Sequence, residues 1–299
     1  MNPFNHFLLS AYYTATLPSR WRAARERTER GGEPVSVLFY HRVADSHPNA
    51  WTMPIGTFES QIRWLQQNFE IVDLGEAQMR ISAGHNARPT VSLTFDDGYA
   101  DNLNFAIPLL LRERIPFTYF VSTNHVLHGR SFDHDLARGQ RLVPNTIEQL
   151  REMADRGVEI GAHTRNHVHL GPQVTLDQMA DEIAGSKEDL QAALGRPIRY
   201  FAFPFGQPAD ITPDAFQLAY QAGYEGVCSA CGGYNFPGDD PFHLRRIHAD
   251  PELIRVKNWL TVDPRKRRNE WIFDPGDFRN HSRLEIAAKA QSPVFESAR

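Results

Sequence analysis

The chain has 299 residues and a hydrophobic content of 41%, enough for a large core, and its length suits two small domains or one α/β barrel. Lys plus Arg (32) against Asp plus Glu (36) leaves a net charge of −4, which excludes a whole-protein footprint for nucleic acid. Only two cysteines are present, Cys228 and Cys231, so no disulfide framework holds the fold. With no further Cys or His nearby to complete a structural zinc site, they are read as ordinary thiols. No run reaches the roughly 18 apolar residues of a spanning helix. The first residues lack a basic start and a small-residue cleavage site, so the expected location is cytoplasmic, with peripheral attachment at the inner membrane as an added expectation.

That attachment concerns an N-terminal extension, residues 1–33. Phe4, Leu8, Ala11 and Ala15 recur at helical spacing, with Phe7 and Tyr12 beside them, and Arg20, Arg22, Arg25, Arg27 and Arg30 follow against Glu26 and Glu29. The pattern suits an amphipathic helix lying on a membrane surface. It also suits a helix packed on the domain and followed by a solvated basic linker, which is the preferred expectation.

After Gly31-Gly32-Glu33-Pro34, residues 35–40 read as a buried strand that delivers His41. Thr57 is expected to cap a helix to residue 68 carrying Phe58, Ile62 and Leu65. Residues 91–95 form the next strand and run into Asp96-Asp97-Gly98, which alone is also good turn chemistry. Residues 100–114 are expected to be helical despite Pro108, and residues 117–122 to be a strand. Residues 124–145 are expected to be an irregular functional loop, with His125, His128, Asp133, His134 and Asp135 as solvated residues. Asn145 and Thr146 cap a helix that Gly157 ends, and residues 158–162 then deliver His163-Thr164-Arg165-Asn166-His167. Thr175 and Gln178 make a capping box for a long helix closed by Gly195. A strand over 199–203 runs into Pro204-Phe205-Gly206, Thr212-Pro213 opens another helix, and strands follow over 225–229 and 242–249. The basic cluster Arg265-Lys266-Arg267-Arg268 and the tail after Asp277 belong to a C-terminal extension, 263–299, expected to be ordered in part.

Short strands alternating with helices over residues 34–262 predict a mainly parallel α/β sheet closed into a barrel, whose active site lies at the C-terminal ends of the strands. His41, Asp96, Asp97, His163, His167 and the Pro204 turn all fall at that end. His163 and His167, four apart, would point to the same side of one helical turn. Two histidines and one carboxylate are a minimal set for a hydrolytic metal with open positions, and the neighbouring carboxylate would remain free as a base. A divalent cation lowers the pKa of bound water toward about 7 and polarises a carbonyl. A leaving amine or alkoxide needs a proton, for which His41 is the candidate, and the Phe205 N–H after Pro204 could help hold the oxyanion.

Thr94-Phe95-Asp96-Asp97-Gly98 followed by His163-Thr164-Arg165-Asn166-His167 resembles the polysaccharide deacetylase family, carbohydrate esterase family 4, with its NodB homology domain. The resemblance covers residues 34–250 and implies a distorted (β/α) barrel. It also implies Asp96 as the base, and Asp97, His163 and His167 as ligands of zinc or of cobalt, nickel or manganese. Phe39-Tyr40-His41-Arg42-Val43 resembles the permuted subgroup that includes poly-N-acetylglucosamine deacetylases, implying His41 as catalytic acid with His248 in reserve. The family's third motif commonly reads Arg-x-Pro-Tyr, whereas Ala202-Phe203-Pro204-Phe205 lacks both the Arg and the Tyr. Arg165, Arg199, Arg245 or Arg246 could each replace that arginine, and the sequence does not choose.

The expected activity is metal-dependent removal of N-acetyl groups from a glycan or glycan precursor, with exopolysaccharide as the associated polymer class and acetylated carbohydrate as partner. An O-deacetylase or non-sugar amidohydrolase of the same fold, or an inactive glycan-binding relative, are the alternatives. A paired-carboxylate glycosidase would need two acids on opposite sides of a scissile bond, and would leave the histidines unexplained.

Overall fold

The structure is a computed structural model that describes residues 3–268 and 270. Seven strands form its centre: β1 (Val35–Tyr40), β2 (Thr90–Phe95), β3 (Phe117–Val121), β4 (Glu159–Ala162), β5 (Tyr200–Ala202), β6 (Gly226–Ser229) and β7 (His243–His248). Each is parallel to the next in chain order, and β7 pairs back onto β1, so the sheet closes into a ring. A two-residue strand, Glu70–Ile71, pairs beside the start of β2. Closure explains the near-continuous apolar runs of β1, β2 and β3, which are buried along their whole length because helices cover the outside and side chains fill the inside.

The two-residue side-chain period sorts each strand between these layers. Leu38 and Tyr40, Val91, Leu93 and Phe95, and Tyr119 and Val121 join the large cluster packed against the helices. Val35, Val37, Phe120, Tyr200, Ala202, Cys228 and Leu244 form a second cluster together with Leu74, Ala77 and Ile81 of the helix Leu74–Ser82. The same parity carries Thr94 to Asp96, Gly161 to His163, and Leu244 to Arg246, so the barrel interior aims these groups at its C-terminal end.

The interior is full. A Cβ on Gly161 would lie 2.4 Å from the Phe120 ring and 3.1 Å from the Tyr200 carbonyl oxygen. Gly161→Ala is therefore expected to destabilise the fold by about 1–3 kcal/mol through overpacking. Urea unfolding with a lowered midpoint and unchanged slope would show it, and an unchanged midpoint would refute the packing argument.

Several elements differ from the sequence expectation. The first barrel helix spans Ile55–Asn68 with Pro54 at its N-cap, so Thr57 lies inside it. The segment expected to be one helix over 100–114 is a 3-10 helix, Ala100–Asn104, and an α-helix, Ala106–Arg112, broken at Phe105. Pro108 then falls in the first α-turn, where its missing N–H removes no helical bond. Residues 124–145 are not irregular throughout, since Thr123–His128 and Asp133–Leu136 are short helices, and His125 and Asp135 are buried rather than solvated. The capping box at Thr175/Gln178 forms as expected, and Thr146, expected as a cap, does so through a box with Gln149.

The N-terminal segment is one helix, Pro3–Glu29, that continues through the arginines, so no basic linker exists there. It packs on the helix Leu253–Leu260. The basic cluster lies in a short helix, Pro264–Arg268, and the tail after Asp277 is outside the described residues. Cys228 and Cys231 are free thiols, and burial pushes Cys228 up to about 12.

Candidate active site

The strand ends fix the site by backbone pairing. Asp96 N–H donates to Tyr40 O at 2.9 Å, and His163 N–H donates to Val121 O at 2.9 Å, so both residues extend their ladders by one step. Beyond them the chain turns abruptly. Asp97 (φ 73°), Thr164 (φ 61°), His167 (φ 54°) and Phe205 (φ 59°) all adopt the left-handed region, which costs a residue with a Cβ about 1–2 kcal/mol. His163 and His167 therefore do not share a helical turn as the four-residue spacing predicts. A loop bends them together, held where Thr123 and Asn124 N–H groups donate to the Thr164 and Arg165 carbonyls, at 3.0 and 2.8 Å. Glu182 completes the hold by accepting from the Asn166 amide groups.

The result is a compact donor set. Ligand atoms of Asp97, His163 and His167 all lie within 4.8 Å of one another. His163 Nε2 is 3.6 Å and His167 Nε2 3.2 Å from Asp97 Oδ1. His163 Nδ1 faces Ala202 O at 2.7 Å, and since a carbonyl only accepts, the proton resides on Nδ1 and Nε2 keeps its lone pair for a ligand. Asp97 Oδ1 is buried without a hydrogen-bond partner among the described residues. An unmatched carboxylate oxygen beside the His163 lone pair and the His167 Nε2 atom is what a divalent cation would satisfy, so these residues fit one.

Next to this set, Asp96 is clamped by Arg246. The guanidinium donates from Nη1 to Oδ1 at 2.6 Å and from Nη2 to Oδ2 at 2.9 Å. Arg246 is fully buried, also bonds Ser229 O at 3.1 Å, and lies over the Phe39 ring at 4.8 Å. Burial alone would raise the Asp96 pKa, but the charge and hydrogen bonds of Arg246 outweigh it and hold the carboxyl below its ordinary value. The arginine absent from position 202 is thus supplied by β7. The other candidates are engaged elsewhere: Arg165 with Asp189 and Asp181, Arg199 with Glu159, and Arg245 with Asp239.

A cleft of about 210 Å³ opens over these groups, lined among others by His41, Trp51, His134, Phe205 and Gln207. His41 packs against Trp51, ring centroids 4.6 Å apart, and its Nδ1 is buried with no hydrogen-bond partner among the described residues. Burial lowers its pKa, with Asp97 and Asp96 opposing the shift. His248 is not in this cleft. It contacts Phe39 and Trp51, lines a separate cavity with Asp250 and Asn258, and is lowered to about 4 by burial. The Phe205 N–H makes no backbone hydrogen bond among the described residues, and its ring stacks on His169 at 3.6 Å.

Sequence reasoning missed the roof. Asp135, fully buried, accepts from Tyr99 Oη at 2.7 Å and from Asn49 Nδ2 at 2.8 Å, joining the loop that carries Trp51 to the helix that carries His134. A signal was present, because Asp133-His134-Asp135 sits between apolar Phe132 and Leu136, a pattern that a solvated loop does not need.

A parallel barrel with this polar end suits hydrolysis, and it is the similarity to known deacetylases that makes the chain a hydrolase of carbon–nitrogen bonds. Residues 83–227 match the model of the polysaccharide deacetylase family. YxkH of Bacillus subtilis, named for the same family, is 26% identical over 229 residues, covering 76% of this chain and 75% of its own length. IcaB from Ammonifex degensii has a similar structure, with a TM-score of 0.66 at 29% identity over 77% of this chain and 98% of that one. PplD, a Streptococcus pyogenes deacetylase solved with acetate, gives a TM-score of 0.65 at 22% identity, covering 76% and 99%, a likeness of fold.

Proposed function

We propose that this protein removes N-acetyl groups from a carbohydrate polymer or precursor by divalent-metal-dependent hydrolysis. The observation that carries the reading is the Asp97, His163 and His167 donor set with the orphaned Asp97 Oδ1, one residue from the Arg246-clamped Asp96. Two imidazoles and a carboxylate suit zinc, with cobalt, nickel and manganese as alternatives. When bound, such an ion would polarise the acetyl carbonyl and acidify a water.

The remaining steps fall to the chain's own groups. Asp96, ionised at neutral pH, takes the proton from the attacking water. His41 gives a proton to the departing nitrogen. The Phe205 N–H donates to the carbonyl oxygen as charge develops on it. Trp51 (42% exposed) and Phe205 (44% exposed) offer apolar faces at the mouth against which a sugar ring can lie. The resemblance of residues 39–43 to the poly-N-acetylglucosamine deacetylases supports an amino-sugar substrate.

Zinc-loaded protein is expected to release acetate from N-acetylglucosamine oligomers, and chelation to stop it. His163→Ala should lose both activity and zinc binding by equilibrium dialysis. Zinc binding without acetate release from any N-acetylated sugar would overturn the substrate class. Faster release from O-acetylated sugars would favour the ester reading.

A further inference from the structure

The turn that carries the Phe205 N–H is conformationally strained. Gly206 N–H donates to Pro204 O at 2.6 Å, which closes a three-residue turn about Phe205, and both Phe205 (φ 59°) and Gly206 (φ 60°) are left-handed. A three-residue turn with positive φ at its centre is the rare form, and it persists only where its surroundings hold it. Gly206 adopts this conformation freely, and space also requires a glycine there, since a Cβ would lie 2.6 Å from the Ala230 N atom. Phe205 has a Cβ and must be held by contacts.

Those contacts converge on two residues that no step of the proposed hydrolysis uses. The His169 ring lies flat on the Phe205 ring, centroids 3.6 Å apart and planes 3° from parallel. His169 Nδ1 is 2.7 Å from Asp210 Oδ1, and the other oxygen of the same carboxylate, Oδ2, accepts from the Gln207 N–H at 3.1 Å. One side chain therefore ties the backbone just beyond the turn to the imidazole that backs the Phe205 ring. On the barrel side, Gly206 O accepts from the Ala230 N–H at 2.9 Å, and Gln207 Nε2 donates to Ala230 O at 2.7 Å. The N–H groups of Gly206 and Gln207 are thus both used, while that of Phe205 has no backbone acceptor among the described residues. His169 is half exposed, and an ion pair so placed adds little to global stability. Its effect belongs to the turn.

We propose that His169 and Asp210 are positioning residues, which fix the Phe205 turn so that its N–H meets the carbonyl oxygen as charge develops there. The catalytic part of this inference rests on the proposed hydrolysis, whereas the clamp itself requires neither metal nor substrate. In the zinc-loaded full chain, His169→Ala and Asp210→Ala are each expected to lower kcat by about 10–100-fold, as a displaced oxyanion donor would. KM should change by less than about threefold, with zinc affinity and the urea midpoint kept. Asp210→Asn should recover most of the rate, because its oxygen can accept from the Gln207 N–H and its amide can donate to His169 Nδ1. In the metal-free chain, amide hydrogen exchange over residues 203–207 should be faster in both alanine variants. Unchanged exchange would overturn the clamp, whether or not the protein deacetylates anything. Faster exchange with kcat kept, or a loss confined to KM, would overturn the positioning role. A wild type that releases no acetate would instead remove the hydrolysis reading, and the catalytic part of the inference with it.

Discussion

Asp96→Asn is expected to lower kcat by about 10²–10⁴-fold, the usual contribution of a general base, while zinc affinity stays nearly unchanged. The amide is isosteric and can still accept from Arg246, which bonds both carboxylate oxygens, so the side chain keeps its place but no longer takes a proton. Asp97, His163 and His167 are untouched, and His163 remains held by Ala202 O. Zinc titration by calorimetry beside acetate release separates the two functions of the acidic pair. A variant retaining most of its kcat would remove Asp96 from the base role. A variant that lost zinc would mean that the two carboxylates do not divide their work as proposed.

Arg246→Met is expected to cost about 3–5 kcal/mol of stability, because it leaves the Asp96 carboxylate buried without its counter-charge. It should also change how the protein responds to pH. In the wild type the folded Asp96 carboxyl is held below its ordinary value. Its stabilising contribution is therefore full above the unfolded pKa near about 3.9, and is lost as pH falls through the lower folded value. In the variant, burial acts with the arginine gone and the folded pKa rises above the unfolded one. Mild acidification should then stabilise the variant while it inactivates it, since the protonated acid accepts no proton. Urea midpoints and kcat/KM at matched pH values test both signs. An acid limb for kcat/KM that did not move upward in Arg246→Met would show that the guanidinium does not tune Asp96. Arg246→Lys should recover only part of the effect, because one ammonium cannot repeat the two-point contact.

The barrel was legible because its first three strands are near-continuous apolar runs and the others short segments bounded by turn residues, and parallel order follows from the intervening helices. Site residues were legible for the same reason: a strand that stops at His41, at Asp96 or at His163 announces where its next side chain goes. What could not be read was pairing across the ring. Arg165 stands inside a histidine motif, yet its charge is spent on Asp189 and Asp181 of the neighbouring helix, while Arg246 reaches Asp96 only because β7 adjoins β1 and β1 adjoins β2. The His163/His167 spacing predicted a helix and met a loop with two left-handed residues, because convergence on Asp97 overrides local preference there. The roof was missed because the burial of Asp135 depends on Asn49 and Tyr99, from distant segments.

The strand that supplies Arg246 is the last of the seven, and the family match at 83–227 ends before it and begins after His41. A chain emerging in order from its N-terminus would carry His41, Asp97, His163 and His167 well before it carried the partner of Asp96. Until β7 docks against β1, Asp96 has no counter-charge, and the half-built ring leaves two open edges in place of a closed one. On the proposed reading, catalytic competence therefore needs a contact 150 residues apart in sequence and not the motif alone. In refolding, the return of deacetylation would time the closing of the ring, whereas zinc uptake would time an earlier event.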